Sequence, residues 1–173
     1  MAKLNSLTDV DIIKALYAAS SAGVKISLCV RGICTLIPGI PGVSENIRVI
    51  SVIDHYLEHS RIYYFANGGT EELYLASADW MPRNLERRVE LMFPVHDEKI
   101  KHELCEIIND YFRDNCKAST LGSNGKWTRL GPPEGEKPFR VQKEMLFRAA
   151  RAGENPGPVK QEFTVRRSPP ADK

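Results

Sequence analysis

The first 30 residues combine a helical and a strand-like hydrophobic pattern. Between Asp9 and Ala22 the apolar residues recur on one helix face, with Thr8 placed as an N-cap and Gly23 as a stop. Residues 24–30 then form a nearly continuous apolar run, which is typical of a central strand covered on both faces. A helix, a short turn and a strand in this order predict an α/β fold.

The middle of the chain carries a series of short apolar runs that predict strands. Asn67-Gly68-Gly69 stands between two of these runs and predicts a hairpin, because this sequence favours a tight turn. We also expect a long loop rich in glycine and proline after the first strand. The predicted elements are a loop over 31–46, strands over 47–53, 61–65, 72–78 and 87–95, a helical turn over 54–59 and a break at 81–84.

The next part of the chain predicts a helix followed by a small hairpin. Asp97 precedes a run to about Phe112 whose apolar residues share one face, so we expect it to cap that helix. Short strands at 118–121 and 126–130 flank Ser123-Asn124-Gly125, which favours a turn.

The end of the chain predicts a linker over 131–138 and a last helix over 141–151. Beyond it, proline, glycine and charge predominate with few large apolar residues, which predicts a disordered tail over 151–173. A length of 173 residues suits one domain with a tail, and we place the domain at 1–150. The whole pattern predicts an α/β domain with a mixed β-sheet flanked by helices, ending in a small hairpin and a helix.

The charge distribution excludes a polycation that binds nucleic acid without specificity. Residues 1–139 hold 16 basic and 18 acidic side chains, whereas residues 140–173 hold 8 and 4. An anion site in the body of the domain must therefore depend on local placement of cations. We expect no specific nucleic-acid partner.

The cysteines indicate a reducing compartment. The four cysteines have neither the C-x-x-C spacing nor the paired histidines of a zinc site, so we predict free, buried thiols. The sequence shows no signal peptide and no apolar run near the length of a membrane span. These observations predict a cytoplasmic protein, and they leave peripheral membrane association open.

Two residues stand where α/β folds collect anionic ligands, at strand ends next to loops. Arg31 follows the predicted strand 24–30, and His59 precedes the predicted strand 61–65. A guanidinium forks onto phosphate oxygens, and an imidazole can move a proton near neutral pH. The pair therefore indicates phosphate chemistry. The alternatives are an arginine paired with a surface carboxylate and a structural histidine.

Five further residues are weaker candidates for the same site. Arg61 and Arg83 are cations at strand ends or in adjoining loops, and surface charge is the alternative. Ser77, Asp79 and Asn84 are short polar groups that could orient an imidazole or cap a turn.

The sequence lacks the common nucleotide cradles, the G-x-x-x-x-G-K-[ST] loop and the G-x-G-x-x-G motif. His55 and His59 could share a helical face and resemble a metal pair. No third ligand accompanies them in sequence, so we predict no metal site in this chain.

Two long segments, VRGICTLIPGIPGVSENIRVISVIDHYLEHSRIYYFANGG (30–69) and SADWMPRNLERRVELMFPV (77–95), closely resemble the C-terminal catalytic domain of the long-chain (type 1) polyphosphate kinases. The resemblance extends from KLNSLTDVDIIKALYAASSAGVKI to about Leu146. It implies a phospholipase D-like α/β fold and reversible transfer of the ATP γ-phosphate to polyphosphate through a phosphohistidine. It also implies ATP or ADP and polyphosphate as ligands, and an oligomeric full-length enzyme.

Carried over by motif, Arg31 resembles the family's arginine that contacts nucleotide phosphates. His59 resembles its second active-site histidine, which serves as a proton donor or phosphate binder. The family's phosphorylated histidine and its Mg²⁺-contacting arginines belong to the preceding domain. We therefore expect Mg²⁺ to be liganded outside this chain, and an isolated C-terminal domain that is inactive without the upstream domains or a partner chain.

Two other functions stay open at this point. A phospholipase D-like phosphodiesterase could complete its site by homodimerising, although Arg61 stands where the H-x-K-x-x-x-x-D motif has lysine. A non-catalytic polyphosphate-binding domain would need Arg31 for affinity but not His59.

Overall fold

The computed structural model describes residues 1–154, and within them the chain forms eight strands and four helices. A short 3₁₀ turn at Asn67–Gly69 joins the fourth and fifth strands. The elements follow one another as β1 (Ala2–Leu4), α1 (Val10–Ser21), β2 (Ile26–Val30), β3 (Ile47–Val52), β4 (Ile62–Phe65), β5 (Glu72–Ala76), α2 (Pro82–Arg87), β6 (Met92–Pro94), α3 (Glu98–Arg113), β7 (Ala118–Leu121), β8 (Trp127–Arg129) and α4 (Val141–Glu154).

All eight strands join one sheet in the order β6-β5-β4-β1-β2-β3-β7-β8. The three central strands, β1, β2 and β3, are parallel, and every other pairing is antiparallel. The predicted α/β fold with a mixed sheet is therefore confirmed, and the predicted hairpins β4–β5 and β7–β8 are both present.

This pairing brings many strand ends to one edge of the sheet, which we call the carboxyl edge. The parallel strands β1, β2 and β3 end there, and the antiparallel neighbours β4 and β7 begin there. The edge is defined by Asn5, Arg31, Ile53, Arg61 and Lys117, the residues next to those strand ends.

The sheet separates two layers of core. Leu28, Val30 and Val49 point to one face and pack with residues of α1. On the other face, Ile50 and Val52 pack with residues of α3 and α4. Because successive side chains of a strand point to opposite faces, the nearly continuous apolar runs reflect burial on both sides.

Both long predicted helices begin at an aspartate. The Asp9 carboxylate accepts hydrogen bonds from the N–H groups of Asp11 and Ile12 at 3.1 and 3.0 Å. The predicted Thr8 cap is therefore wrong by one residue. Asp97 caps α3 as predicted, accepting from the N–H groups two and three residues onward at 2.9 and 3.0 Å.

Several predictions fail where long-range contacts decide the backbone. Strand β1 is not predicted, because three residues are too few to show a period, yet it pairs with β2 and β4. Residues 54–59 form no helical turn. Residues 81–84 begin helix α2 instead of breaking the pattern, and the predicted strand 87–95 contracts to Met92–Pro94. Proline in the first turn suits the start of α2.

Three smaller outcomes complete the comparison with the sequence. Helix α4 continues to Glu154, past its predicted end at 151, and the rest of the predicted tail lies outside the described residues. All four cysteines are free, but only Cys29 is buried, where burial raises the pKa of its thiol to about 12. None of the helices in residues 1–154 combines the length and apolarity needed to cross a membrane.

Candidate functional site

The backbone of Arg31 is fixed by the strands on either side. Its N–H donates to the carbonyl of Leu4 at 3.2 Å, and the hydroxyl of Ser51 donates to its carbonyl at 3.0 Å. The next residue, Gly32, donates to the carbonyl of Asn5 at 2.7 Å. A Cβ at position 32 would lie 3.0 Å from that same carbonyl oxygen, so the close approach favours glycine.

Arg31 lines a cavity of about 390 Å³ at the carboxyl edge, which we call the Arg31 cavity. The β7–β8 hairpin supplies much of its wall, and three of its lining residues are cations: Arg31, Lys117 and Arg129. Ser51, Ser119 and Trp127 also line it, and no carboxylate does. Positive charge that no lining carboxylate offsets raises the local concentration of anions.

His59 lies in a different cavity of about 460 Å³, which we call the His59 cavity. It opens beside the loop between β3 and β4, and α3 and α4 supply the opposite wall. Apart from His59, its chemistry comes from Glu58, Tyr111 and an apolar surface of α4 that includes Met145 and Leu146. No lysine or arginine lines this cavity.

The loop that carries His59 is held by a buried polar network. The Lys3 side chain, only 3% exposed, donates from Nζ to the hydroxyl of Ser60 at 2.8 Å and lies 3.2 Å from the Glu58 carboxylate. The Tyr111 hydroxyl donates to the same carboxylate. Burial and the Glu58 carboxylate raise the pKa of Tyr111, so this hydroxyl stays a donor.

Helix α4 fixes the same loop through its first turn. The side-chain amide of Gln142 donates to the Tyr56 carbonyl and accepts from the Tyr56 N–H, each at 2.8 Å. Arg140, just before the helix, holds the Asp54 carboxylate through two hydrogen bonds of 2.6 Å. These contacts favour a non-helical loop at residues 54–59, because Gln142 binds the backbone N–H and carbonyl of Tyr56.

Arg61 and Asp79 form a bidentate ion pair near the carboxyl edge. The guanidinium donates from Nε and Nη2 to the two carboxylate oxygens at 3.0 and 2.9 Å. Its remaining group, Nη1, donates to the carbonyl of His59 at 2.9 Å. Arg61 therefore positions the backbone of His59 from the side opposite the Lys3 network.

The Asp79 carboxylate also accepts the N–H groups of Asn5 and Ser6 at 2.7 and 3.3 Å. Burial raises the pKa of this carboxyl, but the hydrogen bonds from Arg61 and the two backbone donors outweigh it and hold the pKa below its usual range. Asp79 thus joins the ends of β1, β4 and β5.

The other weak candidates line neither described cavity. Ser77 and Asn84 both donate to the Glu90 carboxylate, which ties β5, α2 and the start of β6 together. Ser77 also accepts the Leu91 N–H at 2.9 Å. Arg83 is exposed and has no ion pair in the part of the chain that the structure describes.

The two principal candidates share an edge but not a cavity. Ser51, in the Arg31 cavity, alternates along β3 with Ile50 and Val52, which pack with α3 and α4. The Arg31 cavity therefore lies on the face opposite those helices, whereas the His59 cavity lies against them. Strand β1 separates the strands next to Arg31 and His59, a distance of about 10 Å at ordinary strand spacing.

Sequence reasoning missed Lys117, Trp127 and Arg129. The only signal was that both cations stand at ends of predicted hairpin strands. Their arrival at the Arg31 cavity depends on the pairing of β7 with β3, which lies about 70 residues earlier in the chain. Lys3 was missed for a different reason, because its strand of three residues is too short to predict.

The described residues form no cluster of side chains that could by themselves hold a metal ion. Over residues 1–154, no three histidine, cysteine, aspartate or glutamate side chains stand close enough to hold a metal ion. The charged side chains of the Arg31 cavity are all cationic, whereas Mg²⁺ takes oxygen ligands.

Comparisons with known proteins agree on one relationship. Residues 1–142 match the family model described as "Polyphosphate kinase C-terminal domain 2". A protein named polyphosphate kinase from Pseudomonas aeruginosa is 53% identical over 150 residues, which are 87% of this chain and 22% of that protein. Polyphosphate kinase 1 from Chlorobaculum tepidum is 61% identical over 126 residues, 73% of this chain and 18% of that protein.

A solved structure shows the same likeness in three dimensions. The crystal structure of polyphosphate kinase from Porphyromonas gingivalis superposes with a TM-score of 0.81 at 45% identity. The match covers 88% of this chain and 23% of that one. The chain thus spans about a fifth of the length of these relatives.

Proposed function

The chain belongs to the polyphosphate kinase C-terminal domain 2 family, and from that premise we propose that it supplies the phosphate-binding part of a phosphotransfer site. The reaction is transfer of the ATP γ-phosphate to polyphosphate. The observation that carries this proposal is the Arg31 cavity, which gathers three cations and no carboxylate at the carboxyl edge. Phosphoryl transfer depends on positioning and on neutralising the charge of phosphate oxygens.

In this proposal Arg31 clamps phosphate oxygens of the nucleotide. Its backbone is held by Leu4 and Ser51, so the guanidinium projects from a rigid base. No carboxylate in residues 1–154 forms an ion pair with it, which leaves its donors available for a ligand. A guanidinium matches phosphate with two parallel hydrogen bonds.

His59 donates a proton to the leaving phosphate or binds it. The imidazole is exposed, whereas the backbone around it is held by Lys3, Arg61 and Gln142. A side chain that is accessible on a fixed loop suits a group that exchanges protons with a ligand. The ligand would have to cross the carboxyl edge past β1 to meet both Arg31 and His59.

The phosphohistidine and any Mg²⁺ ligands lie outside the described residues in this proposal. The donor set of the Arg31 cavity does not fit Mg²⁺, so no step here passes through the ion. Upstream domains or a partner chain supply both. We therefore expect the 173-residue chain to bind ATP or polyphosphate weakly and to turn over neither.

Calorimetric titration with ATP and with polyphosphate tests the binding role of Arg31. We expect Arg31→Ala to weaken binding by about tenfold, the effect of losing hydrogen bonds to a charged ligand. Arg87→Ala is the matched control, because Arg87 is exposed on α2 and outside both described cavities. Unchanged affinity in Arg31→Ala would overturn the proposal.

A phosphotransfer assay on the purified chain tests whether it is inactive by itself. Release of phosphate or growth of polymer above that of a His59→Ala variant would contradict the expected inactivity.

The separation of the two cavities also favours a second function, a non-catalytic polyphosphate-binding domain. In that case a complete enzyme with His59→Ala would keep its turnover.

A further inference from the structure

We infer that Lys117, just before β7, and Arg129, at the end of β8, are phosphate-binding residues, so that the Arg31 cavity takes a run of linked phosphates. Such a run offers several phosphate groups to the three cations of the cavity. The inference rests on the proposed function of the Arg31 cavity and extends it from one arginine to a surface of four strands. The ligand class is a linear condensed phosphate.

The register of the sheet sets these side chains in a row. Ser51 of β3 pairs directly with Ser119 of β7, and Ser119 pairs with Arg129 of β8. Paired residues share one face of a sheet, so the two hydroxyls lie between Arg129 and the end of β2. Arg31 joins the row through the hydrogen bond that its carbonyl accepts from Ser51. Polar and cationic groups thus follow one another across β2, β3, β7 and β8.

The three cations are not neutralised by the protein. In residues 1–154 none of them forms an ion pair, whereas Lys3, Arg61 and Arg140 each hold a carboxylate. Among the described residues the side chain of Arg129 makes one hydrogen bond, from Nη2 to the Cys116 carbonyl at 3.0 Å, which orients its guanidinium.

Asp54, the carboxylate whose pKa responds to Lys117, already forms an ion pair with Arg140. Asp54 has a lowered pKa, chiefly because Arg140 donates to both of its oxygens, and Lys117 is the smallest of the causes. The positive charge of Lys117 is therefore available to a ligand of the Arg31 cavity. Three like charges around one cavity repel each other, and an anion bound between them removes that repulsion.

The spacing of the cations favours an extended ligand. Arg31 follows β2 and Arg129 ends β8, so their strands are three spacings apart, about 14 Å. A row of linked phosphates, each held by charge-assisted hydrogen bonds of about 2.8 Å, matches this spread of strands better than one phosphate group does. The triphosphate of a nucleotide and an inorganic polyphosphate share the required chemistry.

Calorimetric titrations with tripolyphosphate, long-chain polyphosphate, ATP, AMP and orthophosphate test the inference on the 173-residue chain. We expect Lys117→Gln and Arg129→Gln each to weaken tripolyphosphate binding by about fivefold to tenfold, while orthophosphate binding changes little. Lys126→Gln is the matched control, because Lys126 lies in the turn of the same hairpin and outside the cavity.

The ligands also separate the two sources of condensed phosphate. Equal losses for ATP and tripolyphosphate would assign the row to the nucleotide's triphosphate. A loss seen with polyphosphate but not with ATP would assign it to the inorganic chain. Either result supports the inference.

A second measurement locates the bound ligand independently of affinity. The chain has two tryptophans, and only Trp127 lines the Arg31 cavity, since Trp80 is stacked on Tyr63 against the core. In an NMR titration with tripolyphosphate we expect the indole N–H signal of Trp127 to shift more than that of Trp80. Thermal melts of each variant establish that it is folded.

Two results would overturn the inference, and they differ from the failure of the proposed function. Wild-type affinity in Lys117→Gln and Arg129→Gln, together with weakened binding in Arg31→Ala, removes the hairpin and leaves the role of Arg31 intact. Equal weakening by Lys126→Gln would mean that only overall charge matters. Unchanged binding in Arg31→Ala would instead overturn the proposed function.

Discussion

The Arg31 and His59 cavities lie at one edge of one sheet, but they are built in different ways. The Arg31 cavity is lined by residues next to strand ends, and its backbone is set by neighbouring strands. The His59 cavity depends on a loop whose polar groups are bound by Lys3, Tyr111 and Gln142, residues far apart in sequence. One cavity concentrates positive charge, and the other presents an exposed imidazole beside an apolar surface.

The difference separates two tasks of phosphate chemistry. Charge neutralisation needs several cations at fixed positions, and strand ends provide rigid positions. Proton exchange needs one accessible group with a steady orientation, which a loop can provide when its backbone is held. We expect substitutions in the polar network to affect stability and the His59 cavity first, and substitutions beside Arg31 to affect ligand binding with small costs in stability.

The largest expected effect comes from removing Lys3, the buried cation that binds Ser60 and Glu58 on either side of His59. Lys3→Met leaves the Glu58 carboxylate without its ion pair, and we expect a loss of about 3 kcal/mol in the free energy of unfolding. Urea denaturation measures it. Lys14→Met is the control, because Lys14 and Asp11 form an exposed pair. Equal stability of the two variants would mean that the network does not hold the loop.

A smaller loss of folding stability is expected from breaking the ion pair between Arg61 and Asp79, which holds the His59 carbonyl. Asp79→Asn removes the carboxylate that Arg61 binds at two points, and we expect a loss of about 2 kcal/mol near neutral pH. Arg61 then no longer fixes the His59 carbonyl. Denaturation at pH 7 measures the loss, and Asp11→Asn, at an exposed position on α1, serves as the control.

The same pair predicts a pH dependence with a definite sign. The folded-state pKa of Asp79 lies below its value in the unfolded chain, so its stabilisation is present above the unfolded pKa, near 4, and is lost as pH falls through the folded pKa. We expect the wild-type protein to lose more stability than Asp79→Asn between pH 5 and the acid limit. Parallel slopes for the two proteins would contradict this.

The smallest expected effect is beside Arg31. A Cβ at position 32 would lie 3.0 Å from the Asn5 carbonyl oxygen, so we expect Gly32→Ala to cost about 1 kcal/mol. We also expect Gly32→Ala to weaken tripolyphosphate binding, because relieving the contact with the Asn5 carbonyl oxygen moves the backbone next to Arg31. Gly131→Ala is the control, since a Cβ there meets no atom within 4 Å. Equal losses of stability and of binding in Gly32→Ala and Gly131→Ala would show that the backbone at position 32 accommodates a Cβ without strain.

The sequence predicted elements that carry their own period or turn signal. Helices α1 and α3, strands β2 and β3 and both hairpins match their predicted places within one or two residues. The predictions failed where neighbours in space decide the backbone. Strand β1 exists because β2 and β4 pair with it, and residues 54–59 form no helical turn, with the backbone of Tyr56 bound instead by Gln142 of α4.

The sequence by itself determined the α/β class, the family and the two principal candidates, Arg31 and His59, because periodicity and motifs are local properties. Only the tertiary structure decided that these candidates occupy separate cavities, and that Lys117 and Arg129 join Arg31. It likewise decided that Arg61 binds Asp79. The reason is that strand order and register join residues far apart in the chain, and no local pattern specifies which strands become neighbours.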